Sequence, residues 1–209
     1  MKLFNDIIYP GTFNPIHNGH LGIAEKARLE TGIQKVVLIP AFSPYHKASD
    51  GNATSFDRFE MTKLATQSRE GFDVSDVEFR MGREKSYTFE TVKKLIEEET
   101  QRPFDENIKF PQKIKLLMGA DAFEGLASWY QASNLAKLVN FIVVSRPQNR
   151  SVEEIAKGLN IDGLNFQSVL DFGDISSSKI RDLIKRGQDV SKLVSKPVLE
   201  YIMKNKLYR

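Results

Sequence analysis

The sequence predicts an α/β protein built on a doubly wound, parallel sheet. Three observations support this prediction: short β-branched apolar runs recur along the chain, helical patterns separate them, and turn residues close them. Val139–Ser145 (VNFIVVS) is the clearest strand, because its β-branched, mostly apolar run suits a strand that is buried on both faces. Alternating strands and helices of this kind give right-handed crossovers and a Rossmann-like sheet. Ligands bind such sheets beyond the carboxyl ends of the strands.

The individual elements follow from hydrophobic periodicity. The predicted strands cover residues 3–9, 35–40, 72–79, 113–118, 139–145 and 166–170, and Pro10-Gly11 is expected to end the first of them. The predicted helices cover residues 18–31, 88–99, 177–185 and 197–205, with one more around Met61 and Leu64. The polar stretch 100–112 is interpreted as a surface insertion. We expect one domain over residues 1–209, with a helical portion from about residue 175 to 209.

Composition limits the classes of function. Apolar residues make up 41% and charged residues 27% of the 209 residues, which is typical of one globular domain. The chain has no cysteine, so disulfides, thiolate metal sites and a cysteine nucleophile are excluded. Its net charge of +3 is scattered, which argues against nucleic-acid binding. Neither a signal peptide nor a membrane span is expected, and the predicted location is cytoplasmic.

The segment most suggestive of chemistry is residues 11–20 (GTFNPIHNGH), between the first predicted strand and helix. A helix N-terminus there offers backbone N–H groups and a positive dipole end, which favour phosphate. Gly11 and Gly19 allow the backbone to approach a ligand closely. His17 and His20 are three residues apart, so both can donate hydrogen bonds to phosphate oxygens from one side, more strongly when protonated.

Two alternatives compete with a phosphate site at these histidines. One is a pair of surface histidines beside a turn, but only three histidines occur in the chain, and the third, His46, also follows a predicted strand. The other is a metal site shared by His17 and His20. No third ligand is evident nearby in the sequence, so we predict no metal ion held by the protein itself.

His17-Asn18-Gly19-His20 resembles the (H/T)xGH signature of the nucleotidyltransferase superfamily. Its members transfer a nucleotidyl group from a nucleoside triphosphate to a phosphate or similar acceptor. The resemblance implies the fold of that superfamily and catalytic roles for His17 and His20 at the ATP phosphates. It also implies that the neighbouring residues that bind ATP are Gly11, Thr12, Phe13 and Gly19.

A second phosphate motif is found in residues 174–181 (DISSSKIR), where Ser176 or Ser177 is expected to cap a helix. Alone, this pattern is also typical of a capped surface helix. Together with the first motif it resembles the ISSxxIR element of the same superfamily. The resemblance implies a catalytic Arg181 and a grip on the β- and γ-phosphates by Ile175, Ser176, Ser177 and Ser178.

Further segments resemble the bacterial nicotinate mononucleotide adenylyltransferases, and together they span most of the chain. They are Pro44-Tyr45-His46-Lys47, Ser86-Tyr87-Thr88, Gly119-Ala120-Asp121 with Trp129-Tyr130, 143–147 and 201–208. The resemblance implies that Gly119 and Asp121 line the ATP nucleoside pocket. It implies that the residues binding the acceptor are Asn14, His46, Lys47, Tyr87, Thr88, Trp129 and Tyr130.

Two of these roles have a direct physical basis. Trp129, the one tryptophan, can stack on a pyridine ring, although packing in the core is its alternative. Thr88, near a predicted helix N-terminus, can present backbone N–H groups to a carboxylate, which favours nicotinate over nicotinamide. The sequence also departs from the family pattern. Pro10 replaces a glycine, Asn14 replaces an aspartate and thereby removes a charge, and Tyr45 replaces a proline.

The resemblance implies transfer of AMP from ATP to nicotinate mononucleotide, which yields nicotinate adenine dinucleotide and pyrophosphate. Mg²⁺ is expected to be bound mainly through the ATP phosphates. Nicotinamide mononucleotide or phosphopantetheine are the alternative acceptors, although phosphopantetheine enzymes usually carry Thr where His17 stands. A cytidylyltransferase and a nucleotide-binding regulator without turnover are more distant alternatives. The sequence leaves open whether the chain forms a homo-oligomer.

Overall fold

A computed structural model describes residues 2–44, 52–106, 110–145, 150–170 and 175–209. Its strands are β1 (Ile7–Gly11), β2 (Val36–Pro40), β3 (Phe72–Val74), β4 (Ile114–Gly119), β5 (Val139–Ser145) and β6 (Phe166–Leu170). They form one sheet in the order β3-β2-β1-β4-β5-β6, and every neighbouring pair is parallel. The predicted doubly wound parallel sheet is therefore confirmed.

The helices of the described residues cover both faces of this sheet. They are α1 (Asn18–Thr31), α2 (Ser55–Thr66), α3 (Val77–Met81), α4 (Thr88–Thr100), α5 (Ala120–Glu124), α6 (Ala132–Leu138), α7 (Val152–Leu159), α8 (Ser177–Lys185) and α9 (Lys196–Lys204). α1 ends where predicted, because Gly32 takes the left-handed conformation (φ 69°) that glycine adopts at no steric cost. None of the helices within the described ranges is long and apolar enough to cross a membrane.

The first strand differs from its predicted bounds at both ends. It starts at Ile7, because the N–H groups of Asn5 and Asp6 both donate to the carbonyl of Lys2 and form a turn. It also continues through Pro10 to Gly11 instead of ending before them. The missing N–H of proline is tolerated there, because β4 pairs with β1 only opposite Ile7 and Ile8.

The predicted strand 72–79 is too long, since β3 ends at Val74. The Ser75 N–H still donates to the Leu38 carbonyl, but the Ser75 hydroxyl then accepts from the N–H of Val77, where α3 begins. Helices α3, α5, α6 and α7 were not predicted. Each has only five to eight residues, too few to show a clear 3.6-residue period.

Two hydrophobic clusters lie on opposite faces of the sheet. We call the cluster beneath α1, α2, α8 and α9 the first core, and the cluster beneath α3 to α7 the second core. Strand β1 alternates between them, with Ile7 and Tyr9 in the first core and Ile8 in the second. The chain leaves β1 towards β2 on one side and returns to β4 on the other. The edge between β1 and β4 is therefore the topological switch point where such sheets bind ligands.

Candidate active site

The loop after β1 lies at this switch point, and its two histidines are in contact. The imidazole rings of His17 and His20 are stacked, with 3.7 Å between their centroids and 27° between their planes. His17 is the N-cap of α1, and its Nδ1 accepts a hydrogen bond from the backbone N–H of His20 at 3.3 Å. Because Nδ1 is an acceptor, the proton of a neutral His17 is on Nε2, which can donate to a ligand.

His17 is only 4% exposed, and this burial lowers its pKa to about 4. Burial disfavours the charged imidazolium form, so His17 is neutral at pH 7 in the free protein. The group that His17 can offer to a ligand is therefore a neutral Nε2–H donor. The stronger, charge-assisted bond that a protonated histidine could give is not available from this residue near neutral pH without a bound anion.

The buried His17 should make the folded protein sensitive to acid. In the unfolded chain the pKa of His17 returns to 6.5, so only the unfolded state takes up its proton as the pH falls. The contribution of His17 to stability is complete above pH 6.5 and should decrease by about 2 to 3 kcal/mol between pH 7 and pH 4.5. Urea denaturation at both pH values should show this extra loss in the wild type relative to His17→Gln. Equal losses in the two proteins would contradict the assignment.

His20 is held from its other side by Phe13. The Phe13 ring stands edge-on to His20 at 5.1 Å and edge-on to Tyr9 at 5.4 Å. Phe13 has a positive φ of 49°, which is uncommon for a bulky residue. A Cβ on Gly11 would lie 2.6 Å from Cζ of the Phe13 ring, so this packing requires glycine at position 11.

The N-terminus of α1 offers fewer amides to a ligand than the sequence suggested. The N–H of Asn18 donates to the Leu193 carbonyl at 2.8 Å, and the N–H of His20 is bonded to His17. Within the described ranges, the N–H of Gly19 makes no such bond. A Cβ on Gly19 would lie 3.2 Å from Cβ of Ile175, so the two phosphate motifs are in close contact here.

Hydrogen bonds join the second motif to the first across more than 160 residues. The Ser177 hydroxyl donates to the Pro15 carbonyl at 3.0 Å, and the Arg181 guanidinium donates to the Asn14 carbonyl at 2.9 Å. Ser176 is the N-cap of α8 and accepts from the N–H of Lys179. The structure thus places Ser177 and Arg181 against the loop that carries the two histidines, while Ser178 is exposed and Ile175 packs against the first core.

Sequence reasoning missed Arg58, whose buried side chain hydrogen-bonds to the loop that follows β1. Arg58 is 5% exposed and donates to the carbonyls of Thr12 at 2.8 Å and Phe42 at 3.1 Å, and its burial lowers its pKa. It therefore connects the loops that follow β1 and β2. A signal was available, because Arg58 is three and seven residues before Met61 and Ala65 and so belongs to the buried face of α2.

On the other side of the switch point, aromatic residues gather near the start of α4. Tyr87 is the N-cap of α4 and Thr88 its first residue. The rings of Tyr87 and Tyr130 are 4.7 Å apart, and Phe89 lies 6.4 Å from Tyr130. Trp129 is partly buried against the second core. The structure thus brings Tyr87 and Tyr130 together beside Thr88.

The remaining predicted residues fall in three places. Gly119 ends β4 and precedes α5, with open space where a side chain would be, and Asp121 is exposed in the first turn of α5. His46 and Lys47 lie outside the described residues.

In the part of the chain that is described, no three His, Cys, Asp or Glu side chains form a cluster that could hold a metal ion.

Comparisons with known proteins agree on the family. The cytidylyltransferase-like family model matches residues 8–183. A Clostridium botulinum protein named as a probable nicotinate-nucleotide adenylyltransferase is 32% identical over 99% of this chain and all of its own length. A Desulfitobacterium hafniense protein of the same name is 36% identical over 97% of this chain and 94% of its own.

A solved structure shares the fold at low sequence identity. The nicotinic acid mononucleotide adenylyltransferase of Plasmodium falciparum, complexed with NaAD, superposes with a TM-score of 0.73 over 97% of this chain and 96% of its own, at 19% identity. At that identity the likeness concerns the fold alone. It supports the Rossmann-like arrangement in which the described site lies.

Proposed function

This chain belongs to the cytidylyltransferase-like family and, within it, to the nicotinate-nucleotide adenylyltransferases, and from that membership we propose that it transfers AMP from ATP to nicotinate mononucleotide. The products are nicotinate adenine dinucleotide and pyrophosphate. The observation that carries the proposal is the junction of the two phosphate motifs at the switch point. There His17 and His20 are stacked, and Arg181 donates to the carbonyl of Asn14 in the same loop.

In the proposed reaction the acceptor phosphate attacks the α-phosphorus of ATP in line. A new P–O bond forms, the bond from the α-phosphorus to the bridging oxygen breaks, and pyrophosphate leaves with that electron pair. The acceptor phosphate is already anionic at neutral pH, so the protein needs no nucleophile of its own. Catalysis then consists of positioning and of stabilising the charge that develops on the phosphates.

Each residue at the switch point contributes a different chemical group to the positioning and charge stabilisation of the phosphates. His17 contributes a neutral Nε2–H, fixed in direction by the bond at its Nδ1. His20 stacks on it and offers a second imidazole. Arg181 supplies a permanent positive charge to the phosphates that leave, and the Gly19 amide and the Ser176, Ser177 and Ser178 segment line the same side.

Mg²⁺ is compatible with this site when it is bound through the phosphates of ATP. Magnesium keeps several waters and is usually held by one or two carboxylates plus substrate phosphates, and the described residues offer no cluster of ligands of their own. When bound to ATP, Mg²⁺ would neutralise charge on the phosphates. The protein side chains are then left to orient the phosphates and to stabilise the leaving pyrophosphate.

On the acceptor side, the start of α4 supports a preference for nicotinate. The first N–H groups of a helix carry partial positive charge and suit a carboxylate. Thr88 opens the 13-residue helix α4, and the rings of Tyr87 and Tyr130 lie beside it. We assign the pyridine ring to Tyr87, Trp129 and Tyr130, the ribose and phosphate of the acceptor to Asn14, His46 and Lys47, and the ATP nucleoside to Gly119 and Asp121.

The acceptor assignment is tested by comparing three acceptors with Mg-ATP: nicotinate mononucleotide, nicotinamide mononucleotide and phosphopantetheine. We expect kcat/KM for pyrophosphate release to be at least about tenfold higher with the nicotinate form than with either other acceptor, because only it carries the carboxylate. Equal values for the two pyridine nucleotides would refute the carboxylate pocket. Release only with phosphopantetheine would refute the acceptor assignment.

A further inference from the structure

Tyr208 lies buried beneath the loop that carries the first phosphate motif. It is 1% exposed and belongs to the first core, as Phe13 and Ile16 do. Its hydroxyl donates a hydrogen bond to the Asn14 side-chain oxygen at 2.8 Å, between positions 194 residues apart. Burial raises the pKa of Tyr208, so its hydroxyl stays protonated and remains a donor at all working pH values.

The residue that Tyr208 holds is also bound to Arg181. Asn14 is 7% exposed, and its backbone carbonyl accepts from the Arg181 guanidinium at 2.9 Å. Tyr208 and Arg181 therefore both hydrogen-bond to Asn14, Tyr208 to its side chain and Arg181 to its backbone carbonyl. A shift of Asn14 would move the partner to which the Arg181 guanidinium is bonded.

The backbone of Tyr208 is itself held in a costly conformation. Its φ is 63°, in the left-handed region that bulky residues rarely adopt. The N–H of Tyr208 donates to the Asn52 side-chain oxygen at 2.7 Å, and the Asn52 amide donates to the Lys206 carbonyl at 3.2 Å. Such a conformation persists only where the surroundings fix it, and here an amide bridge, a buried ring and the hydroxyl bond do so.

We propose that Tyr208 is a positioning residue for adenylyl transfer, whose hydroxyl fixes Asn14 and thereby the place of Arg181 against the ATP phosphates. The inference rests on the proposed function for its role in turnover. Tyr208 acts through Asn14 and does not itself touch the phosphates. Its ring and its N–H bond to Asn52 maintain the local fold, and the hydroxyl adds the link to the phosphate site.

The variant Tyr208→Phe isolates that link, since it removes one hydroxyl and keeps the ring and the N–H. The matched control is Tyr201→Phe, which removes a partly buried hydroxyl that donates to Asp57 at 2.9 Å and not to Asn14. Both variants should lower Tm, because both lose a hydrogen bond. Only Tyr208→Phe should raise the KM and Kd for Mg-ATP, by about tenfold.

A double-mutant cycle tests whether the effect passes through Asn14. If it does, Tyr208→Phe should weaken Mg-ATP binding no further once Asn14→Ala is present, because the two residues form one link. Additive losses in Mg-ATP affinity would overturn the inference. So would an Mg-ATP affinity in Tyr208→Phe that equals that of Tyr201→Phe.

Calorimetric binding of Mg-ATP without acceptor separates this inference from the proposed function. Wild-type protein that binds Mg-ATP but releases no pyrophosphate with any acceptor would overturn the proposed reaction. The Mg-ATP Kd of Tyr208→Phe would still decide the positioning role. A tenfold weaker Kd supports it, and an unchanged Kd contradicts it whatever the turnover.

Discussion

Replacing His20 with alanine should lower kcat by about 100- to 1000-fold, the loss typical of removing one donor that stabilises transition-state charge. The structure gives His20 one orientation, since its ring is stacked on His17 and contacts the edge of Phe13. The ring is partly exposed in the first turn of α1, so its loss should lower Tm only slightly. Steady-state pyrophosphate release at saturating Mg-ATP and acceptor measures the effect.

The conservative variant His20→Gln is the control for this experiment. It keeps a side-chain N–H donor at nearly the same reach, so part of the lost turnover should return. A His20→Ala protein that turns over at nearly the wild-type rate would show that His20 only packs against its neighbours.

Replacing Gly11 with alanine should lower kcat by on the order of 10- to 100-fold, because misplacing a catalytic group by about an ångström costs that much. The added Cβ would lie 2.6 and 2.8 Å from two carbons of the Phe13 ring. Phe13 is 2% exposed and lies between Tyr9 and His20, so it cannot yield without displacing His20. The same overpacking should cost about 1 to 3 kcal/mol of the free energy of unfolding.

Gly22→Ala is the matched control, since a Cβ there meets nothing within 4 Å and the residue lies inside α1. This variant should be more stable by about 0.5 to 1 kcal/mol, because alanine favours helix over glycine, and its kcat should be unchanged. Kinetics and urea denaturation of both variants give the comparison. Wild-type turnover in Gly11→Ala would show that the Phe13 packing does not position the site.

The elements that were predicted correctly are those whose two ends are marked by the residues of the element itself or by the residue next to it. β5 and α1 have the predicted bounds, because β5 is a mostly apolar, β-branched run and α1 has a periodic apolar face and a terminal glycine. The strand predicted at 72–79 was wrong in length, because partial alternation of apolar and polar residues does not show where backbone pairing stops. Only the register of β3 against β2, which ends at Val74, sets that limit.

The residues of the candidate site also differ in whether the local sequence reveals them. The two phosphate motifs could be found in sequence because each is compact, and the structure brings them into contact. Arg58 was missed, and Tyr208 was given no role although the segment 201–208 resembles the family, because their partners are far away in sequence: Thr12 is 46 residues from Arg58, and Asn14 is 194 residues from Tyr208. No local sequence pattern predicts a hydrogen bond between residues that are so far apart along the chain. The roles of the individual site residues, the cytoplasmic location and the oligomeric state stay predictions.

Transfer of the adenylyl group is tested most directly by following two labels of ATP in one reaction with nicotinate mononucleotide. We expect the label of the α-phosphate to appear in the dinucleotide and the label of the γ-phosphate to appear in pyrophosphate, in equal amounts. A γ-label that moves to the acceptor, or that is released as inorganic phosphate, would contradict it.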